Sequence, residues 1–362
     1  MRCTWPVLMV RYMRWSRHLT ALLPLIFAAR VCAQSASNQP PIHSQKYAMG
    51  TVFEIVTYDR ASGRATAAID EAFHEIERLD DLMSNYKPQS ELSRLNRNAH
   101  FQRQTVSRDL YRVIEQSLEY SRLSAGEFDI SVGPLVDLWK AQQRGEQAIT
   151  PDAENKAREC VGFKSIKLLP PNRVEFRSPC LRIDVGAIGK GYAVDRAADI
   201  LRSQGIHNAL INAGGSTVYA MGTPPEKSGW TIELRDPSGT VRPQVVLKDS
   251  SVSTSEQTPR ALLSAPSGGH IIDPQNGGPS KNSGAVSVIA GTATASDALS
   301  TTLLLVGPGR GKALISTLRG TAAVWISPEG RADTVSNGAV IRTSAAPDHS
   351  IPLTYSERSS KK

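Results

Sequence analysis

The sequence predicts an α+β fold in which mixed or antiparallel sheets carry packed helices. Three observations predict it: two long stretches with helical apolar spacing, short apolar runs of strand length alternating with them, and a helix–glycine–strand–turn unit that occurs twice. In chain order, Val52-Phe53-Glu54-Ile55-Val56 reads as a strand. Arg64 to Met83 places Ala68, Ala72, Ile76, Leu79 and Leu82 at the spacing of an amphipathic helix, and Leu110 to Ser124 repeats the signal with Leu110, Val113, Ile114, Leu118 and Leu123. Residues 141–158 hold few apolar positions and read as a surface excursion. Ser165 to Leu169 and Val174 to Phe176 flank a Pro170-Pro171-Asn172 turn, the pattern of a hairpin. Gly191 to Gln204 is helical in pattern and is followed by Gly205, a strand Ala209-Leu210-Ile211 and a Gly214-Gly215 turn. The same order returns with helices over Ser296 to Leu305 and Gly311 to Leu318, then Gly320, a strand Ala322 to Ile326 and a Pro328-Glu329-Gly330 turn. Such an echo implies a weak internal duplication.

The 362 residues, 40% hydrophobic and 21% charged, suit a globular chain of one large or two ordinary domains and exclude a stapled miniprotein or a disordered chain. A net charge of +8 suggests a polyanionic partner, but its position removes that suggestion. Arg2, Arg11, Arg14, Arg17 and Arg30 lie in the first thirty-three residues with no acid; without them Lys+Arg falls from 42 to 37 against 34 Asp+Glu, a balance of +3. No nucleic-acid partner is expected. The basic stretch, the apolar run Leu19 to Ala29 and Val31-Cys32-Ala33 have the form of a secretory signal peptide over residues 1–33, cleaved after Ala33. Arg30 and Val31 suit a lipid attachment at Cys32 poorly. No second apolar stretch reaches transmembrane length, so an exported, periplasmic chain with no membrane span is expected. Residues 34–44 read as a disordered leader, 45–343 as the folded domain and 344–362 as a flexible tail. Cys160 and Cys180 bracket the hairpin and are either disulfide-bonded or two buried thiols.

Four stretches carry chemistry. Asp184 to Asp195 reads as a strand ending in a Gly-rich turn that opens a helix, with Lys190 placed as a point charge for phosphate, although it is neither a Walker A loop nor a Rossmann fingerprint. Asp297 and Thr301 are four apart and share a helix face. Together they offer one carboxylate and one hydroxyl, a sufficient half-site for Mg²⁺ or, equally, part of a helix cap. His270-Ile271-Ile272-Asp273-Pro274 reads as a short strand entering a turn, with His270 a candidate base. Ser253-Thr254-Ser255 offers hydroxyls to a phosphate. Nearer the start lie Met49-Gly50-Thr51, Tyr86, the Ser90 to Asn96 segment, and Phe128-Asp129 with Val132-Gly133-Pro134-Leu135.

In this order, and with Asn212-Ala213-Gly214-Gly215, these pieces resemble the FAD:protein FMN transferase (ApbE) family over residues 45–335. The resemblance implies a T-fold-like architecture and an enzyme that binds FAD and, with Mg²⁺, transfers FMN to a threonine or serine hydroxyl of a target protein, releasing AMP. For exported members it implies targets in membrane redox complexes of the sodium-pumping NADH:quinone reductase (Nqr) or Rnf type. Carried over by motif, Asp297 and Thr301 hold Mg²⁺ with the carbonyl of Gly189, and His270 and Asp297 are catalytic. Asp184, Lys190, Gly214, Gly215, Ser255 and His270 shape the nucleotide pocket. Met49, Tyr86 and Asp129 lie around the flavin or adenine. The family's Gly-Gly-Asp is Gly214-Gly215-Ser216 here, and its Thr-Ser-Gly is Thr254-Ser255-Glu256. These departures keep two alternatives open, an FAD-binding protein without transfer and an FAD pyrophosphatase. Asp297→Ala is expected to leave the fold nearly intact, as for a carboxylate at a cleft surface.

Overall fold

The structure, a computed structural model, describes residues 40–59, 63–239, 243–257 and 271–339. The stretches expected as signal peptide and tail, and His270, lie outside the described residues. Strand formation begins earlier than the hydrophobic pattern suggests. β1 (Ile42–Ala48) pairs antiparallel with β2 (Thr51–Thr57), so Ile42, His43 and Ser44 belong to the fold and not to a leader. β1 is an edge strand with an exposed polar face, and its few apolar side chains conceal it from a periodicity reading. Met49 and Gly50 close the hairpin, both at positive φ (50° and 76°), as a two-residue turn between right-twisted strands requires.

Between β2 and the next sheet strand lies a helical module. α1 (Arg64–Met83) buries Ala65, Ala68, Ile69, Ala72, Phe73, Ile76, Leu79 and Met83, one continuous stripe at helical spacing. α2 (Glu91–Asn98) is capped by Ser90, whose hydroxyl accepts from the Ser93 N–H. After β3 (Gln104–Thr105), α3 (Arg108–Leu123) is capped by Ser107 in the same way through the Leu110 N–H. α4 (Gly133–Gln143) ends inside the stretch read as an excursion, and α5 (Pro151–Glu159) fills its second half; α5 buries no residue, so surface helix is the better description. β4 (Ile166–Leu169) and β5 (Arg173–Phe176) form the expected hairpin, joined by β3 into a three-stranded sheet.

Cys160, which ends α5, is disulfide-bonded to Cys180 after β5, with Cα atoms 5.3 Å apart. Sequence alone left this open. The bond closes a loop across 20 positions, for which the chain-entropy relation gives about 3 kcal/mol. Urea unfolding of Cys160→Ser/Cys180→Ser should show a loss of about that size; an unchanged midpoint would mean that the unfolded chain is not limited by this crosslink.

The remaining elements build the main sheet. α6 (Gly189–Ser203), β6 (Ala209–Ala213) and β7 (Thr217–Met221) are followed by the two-stranded β8 (Trp230–Glu233) and β9 (Gln244–Leu247). Then come β10 (Ser250–Gln257), β11 (Gly284–Ala290), α7 (Ala293–Thr317), β12 (Thr321–Ile326) and β13 (Ala332–Asn337). The eight-stranded order is β1-β2-β6-β7-β10-β11-β12-β13, and every neighbouring pair is antiparallel. The duplication is therefore structural: two strands, a crossover helix and two strands occur twice, with α6 and α7 as the crossovers. Phe53, Ile55, Ile211 and Ala213 form one core with α1 and α6, whereas Val218, Val252 and Val324 on the opposite face are covered by Trp230, Ile232, Val245 and Leu247 of β8–β9.

Two readings change. Residues 182–185 form no strand but a single bridge from Arg182 to Val132, and Ile272 makes only one bridge, to Pro279. The two helices read after Ser296 are present as the two arms of α7, which is broken by the non-helical Gly307 (φ 75°) before Pro308. Proline there has no N–H for the Leu304 carbonyl, and Asn282 Nδ2 donates to Leu304 and Leu305 instead, at 2.9 Å each.

Candidate active site

The first turns of the two crossover helices cap each other. α6 begins at Ile188-Gly189 without a side-chain cap of its own, and the Gly191 N–H donates to Asp297 Oδ2 of α7 at 2.9 Å. In return Asp195 of α6 accepts from the Ala293 N–H (2.7 Å) and, with its other oxygen, from the Thr294 N–H (2.8 Å). Each carboxylate sits four residues after the partner glycine or alanine, so the pairs 191/195 and 293/297 repeat the duplication at atomic scale. Burial pushes the Asp195 carboxyl up, and these hydrogen bonds oppose that shift. Gly191 is needed for the approach: a Cβ there would stand 2.3 Å from the Ala293 carbonyl oxygen and 2.8 Å from Asp297 Cβ.

Asp297 is buried, at 5% relative exposure, and caps a helix, so the expectation that Asp297→Ala spares the fold is corrected. Alanine would orphan the Gly191 N–H, at a cost of about 1–3 kcal/mol. Among the described residues its other carboxylate oxygen, Oδ1, takes no hydrogen bond and Asp297 makes no ion pair. One turn on, Thr301 Oγ1 lies 3.1 Å from Ser255 Oγ of β10, which also meets Ser300 Oγ at 2.8 Å. β10 thus presents hydroxyls to α7 throughout, with Ser251 and Ser253 both bonded to Ser296.

Beside this cluster opens a cleft of about 560 Å³. The β1–β2 turn supplies Met49, Gly50 and Thr51; the β6–β7 turn supplies Gly214 and Ser216; α6 supplies Lys190; and Arg235 and Glu256 complete the wall. The two turns are in contact. A Cβ on Gly214 (φ 60°) would fall 1.8 Å from Thr51 Oγ1, and the Gly214 N–H donates to the Val52 carbonyl at 2.9 Å. Asn212 accepts the Gly215 N–H at 2.8 Å and is itself held by Glu54. Lys190 makes no ion pair among the described residues, and its Nζ reaches only the Gly186 carbonyl at 3.4 Å. Glu256 does not face the cleft unpaired: Arg235 Nη1 lies 3.3 Å from its Oε2.

The structure gathers Met49, Lys190 and Gly214 in the cleft, with Gly215 under Arg235, and Gly189, Ser255, Asp297 and Thr301 around the α6–α7 cap. Tyr86 and Asp184 form a different group, joined through Lys140, whose Nζ lies 4.8 Å from the Tyr86 ring centroid and 4.0 Å from Asp184 Oδ2. Asp184 also accepts the Gly186 N–H at 2.7 Å and so shapes the turn ahead of Lys190. Asp129 is buried with both oxygens engaged, Oδ1 by the Ser131 N–H and hydroxyl and Oδ2 by the Phe163 N–H. Burial pushes its carboxyl up, and its carboxylate ties Ser131 to Phe163. Arg235, Lys140 and Asp195 were not singled out in the sequence. Only Asp195 had a signal there, the mirrored 191/195 and 293/297 spacing.

No group of three or more His, Cys, Asp or Glu among the described residues could hold a metal ion. The donors at the α6–α7 junction suit a different kind of site, with one open carboxylate oxygen and neighbouring hydroxyls, all hard oxygens and few in number. That set fits Mg²⁺, which takes one or two protein carboxylates and fills its shell with water and substrate phosphate.

A family model described as the ApbE family matches residues 49–325, which span both halves of the duplication and every part of the cleft. The chain belongs to the ApbE family. An FAD:protein FMN transferase of Vibrio cholerae is 30% identical over 304 residues, covering 82% of this chain and 89% of the relative. One of Treponema pallidum is 28% identical over 303 residues, covering 78% and 83%. Among solved structures, the flavin transferase ApbE from Vibrio cholerae superposes with a TM-score of 0.72 at 27% identity, covering 82% of this chain and 97% of that one. The apo flavinyl transferase ApbE of Pseudomonas stutzeri gives 0.70 at 25%, covering 82% and 94%. A Cβ on Gly189 would meet Met49 Cε and Val185 Cγ2 at 3.6 Å, ordinary contact. Gly189→Ala should therefore fold normally and gain about 0.5–1 kcal/mol in urea unfolding; a destabilised variant would contradict the packing described.

Proposed function

We propose that this ApbE-family chain is an exported, periplasmic, Mg²⁺-dependent FAD:protein FMN transferase, whose acceptor is a serine or threonine hydroxyl of a membrane redox complex of the Nqr or Rnf type. The observation that carries the reading is Asp297 one helical turn from Thr301, with one carboxylate oxygen that takes no hydrogen bond among the described residues, together with a cleft whose wall bears Lys190, which makes no ion pair among them. The acceptor oxygen attacks the FMN phosphorus and forms the new P–O bond. The bond from that phosphorus to the bridging diphosphate oxygen breaks, and AMP leaves with the bridging oxygen. The acceptor proton goes to His270, the base assigned from the motif. When bound, Mg²⁺ would supply charge neutralisation on the departing phosphate, held by Asp297 and Thr301. Lys190 holds the diphosphate against the α6 N-terminus, where N–H groups favour anions. The two turns of the cleft fix the cofactor's position, and Asp184 sets the backbone before Lys190. The Cys160–Cys180 disulfide supports an oxidising compartment. No helix among the described residues is long and apolar enough to cross a membrane.

Incubation with FAD, Mg²⁺ and a target domain, followed by intact-mass analysis of the target, tests this. An FMN-sized gain together with AMP is expected. Free FMN plus AMP would make the chain a pyrophosphatase, and retained FAD without AMP would make it a binding protein. The pairing of Glu256 with Arg235 favours transfer over the latter, because the carboxylate that departs from the family pattern is neutralised at rest.

A further inference from the structure

We infer that Arg235 makes the cleft selective for a diphosphate over a single phosphate, with Glu256 as a resting counter-ion that the ligand displaces. The inference rests on the reading of the cleft as a dinucleotide site. Arg235 lies two residues beyond β8, on backbone pinned from both sides. The Leu234 N–H donates to the Pro243 carbonyl at 2.7 Å, and Asp236 accepts the Ser238 N–H at 2.9 Å. From there the side chain reaches over the β6–β7 turn, where its Nη2 would be 3.8 Å from a Cβ on Gly215. β10 is held against the same turn by the Thr254 N–H donating to the Ser216 carbonyl at 2.8 Å, and Glu256 follows two residues on.

Charge and geometry then set the order of events. The wall holds two cations, Lys190 and Arg235, and one carboxylate, Glu256. Among the described residues Arg235 is compensated at rest and Lys190 is not, which leaves Lys190 available. A single phosphate can be met by Lys190 alone, whereas two linked phosphates are matched only when Arg235 is free as well. The pair that must open is weak, with a single contact of 3.3 Å between side chains that are 50% and 27% exposed. A guanidinium fork meets phosphate through two parallel hydrogen bonds, which its present contact with Glu256 does not offer. Phosphate can therefore replace the carboxylate, and Glu256 turns to solvent.

The test measures affinities of the full folded protein for FAD, ADP and AMP, with Arg235→Ala, Arg235→Lys and Glu256→Gln compared to wild type. Arg235→Ala should weaken FAD and ADP at least about tenfold while changing AMP by less than about twofold. Arg235→Lys should recover part of the loss, and Glu256→Gln should tighten FAD and ADP about threefold because the competitor is gone. The Glu256→Gln gain should vanish in the Arg235→Ala background. FAD and ADP affinities equal to wild type in Arg235→Ala, or AMP weakened as much as ADP, overturn the assignment even where transfer persists. If wild type binds ADP in an Arg235-dependent way but not FAD, the flavin reading fails and the diphosphate assignment stands; if it binds neither, both fail.

Discussion

Asp297→Asn is expected to lower FMN transfer by about a thousandfold or more while leaving thermal unfolding within a few degrees of wild type. The two effects separate because the two oxygens of Asp297 serve different ends. Oδ2 accepts the Gly191 N–H, and an asparagine carbonyl placed there still accepts it. The negative charge on the open oxygen is lost, and with it the one carboxylate at the proposed Mg²⁺ site. Lewis-acid stabilisation of a developing phosphate charge is worth several kcal/mol, and about 4 kcal/mol corresponds to about three decades in rate. Asp297→Ala should show the same loss of transfer plus a stability cost of about 1–3 kcal/mol from the orphaned N–H. AMP release with excess Mg²⁺, read beside a melting curve, checks both. Transfer retained by the asparagine variant would remove Asp297 from the chemistry and leave it as a helix cap.

Gly191→Ala should cost about 3 kcal/mol or more in stability. Helix propensity alone points the other way, since alanine is favoured over glycine inside a helix by about 1 kcal/mol. Sterics win because the added Cβ would stand 2.3 Å from the Ala293 carbonyl oxygen, a backbone atom that cannot rotate aside. Relief requires α6 and α7 to separate, which breaks both reciprocal caps. Activity should fall with stability. Urea unfolding next to Gly189→Ala, two residues away on the same turn, is the control: the two substitutions are chemically identical and should differ in sign. Equal stability for both would show that the helices are not in contact at Gly191.

Much of the α+β frame was legible beforehand. α1 and α3 were read to within two residues because their buried side chains recur at the helical period, and the β4–β5 hairpin was marked by its proline turn. β10 was not read, for a definite physical reason: its inward residues Ser251, Ser253 and Ser255 are held by hydroxyls of α7 and not by apolar contact, so it has no hydrophobic alternation. β1 escaped as a polar edge strand. Asp129 and Asp184 look alike as motif carboxylates, yet one is consumed inside the fold and the other shapes a turn at the surface.

By itself the sequence determined the long helices, the internal echo and the family, because periodicity and the order of short motifs are properties of local stretches. The tertiary structure alone decided that Asp297 is shared between a helix cap and an open oxygen, that Asp195 returns the cap, and that Glu256 is neutralised by Arg235. These depend on atoms 106, 98 and 21 residues apart meeting within hydrogen-bond or ion-pair distance. What each charged group can do is set by which oxygen or nitrogen its neighbours leave unoccupied, and those neighbours are chosen by the packing of α6 against α7 and of β10 against both turns.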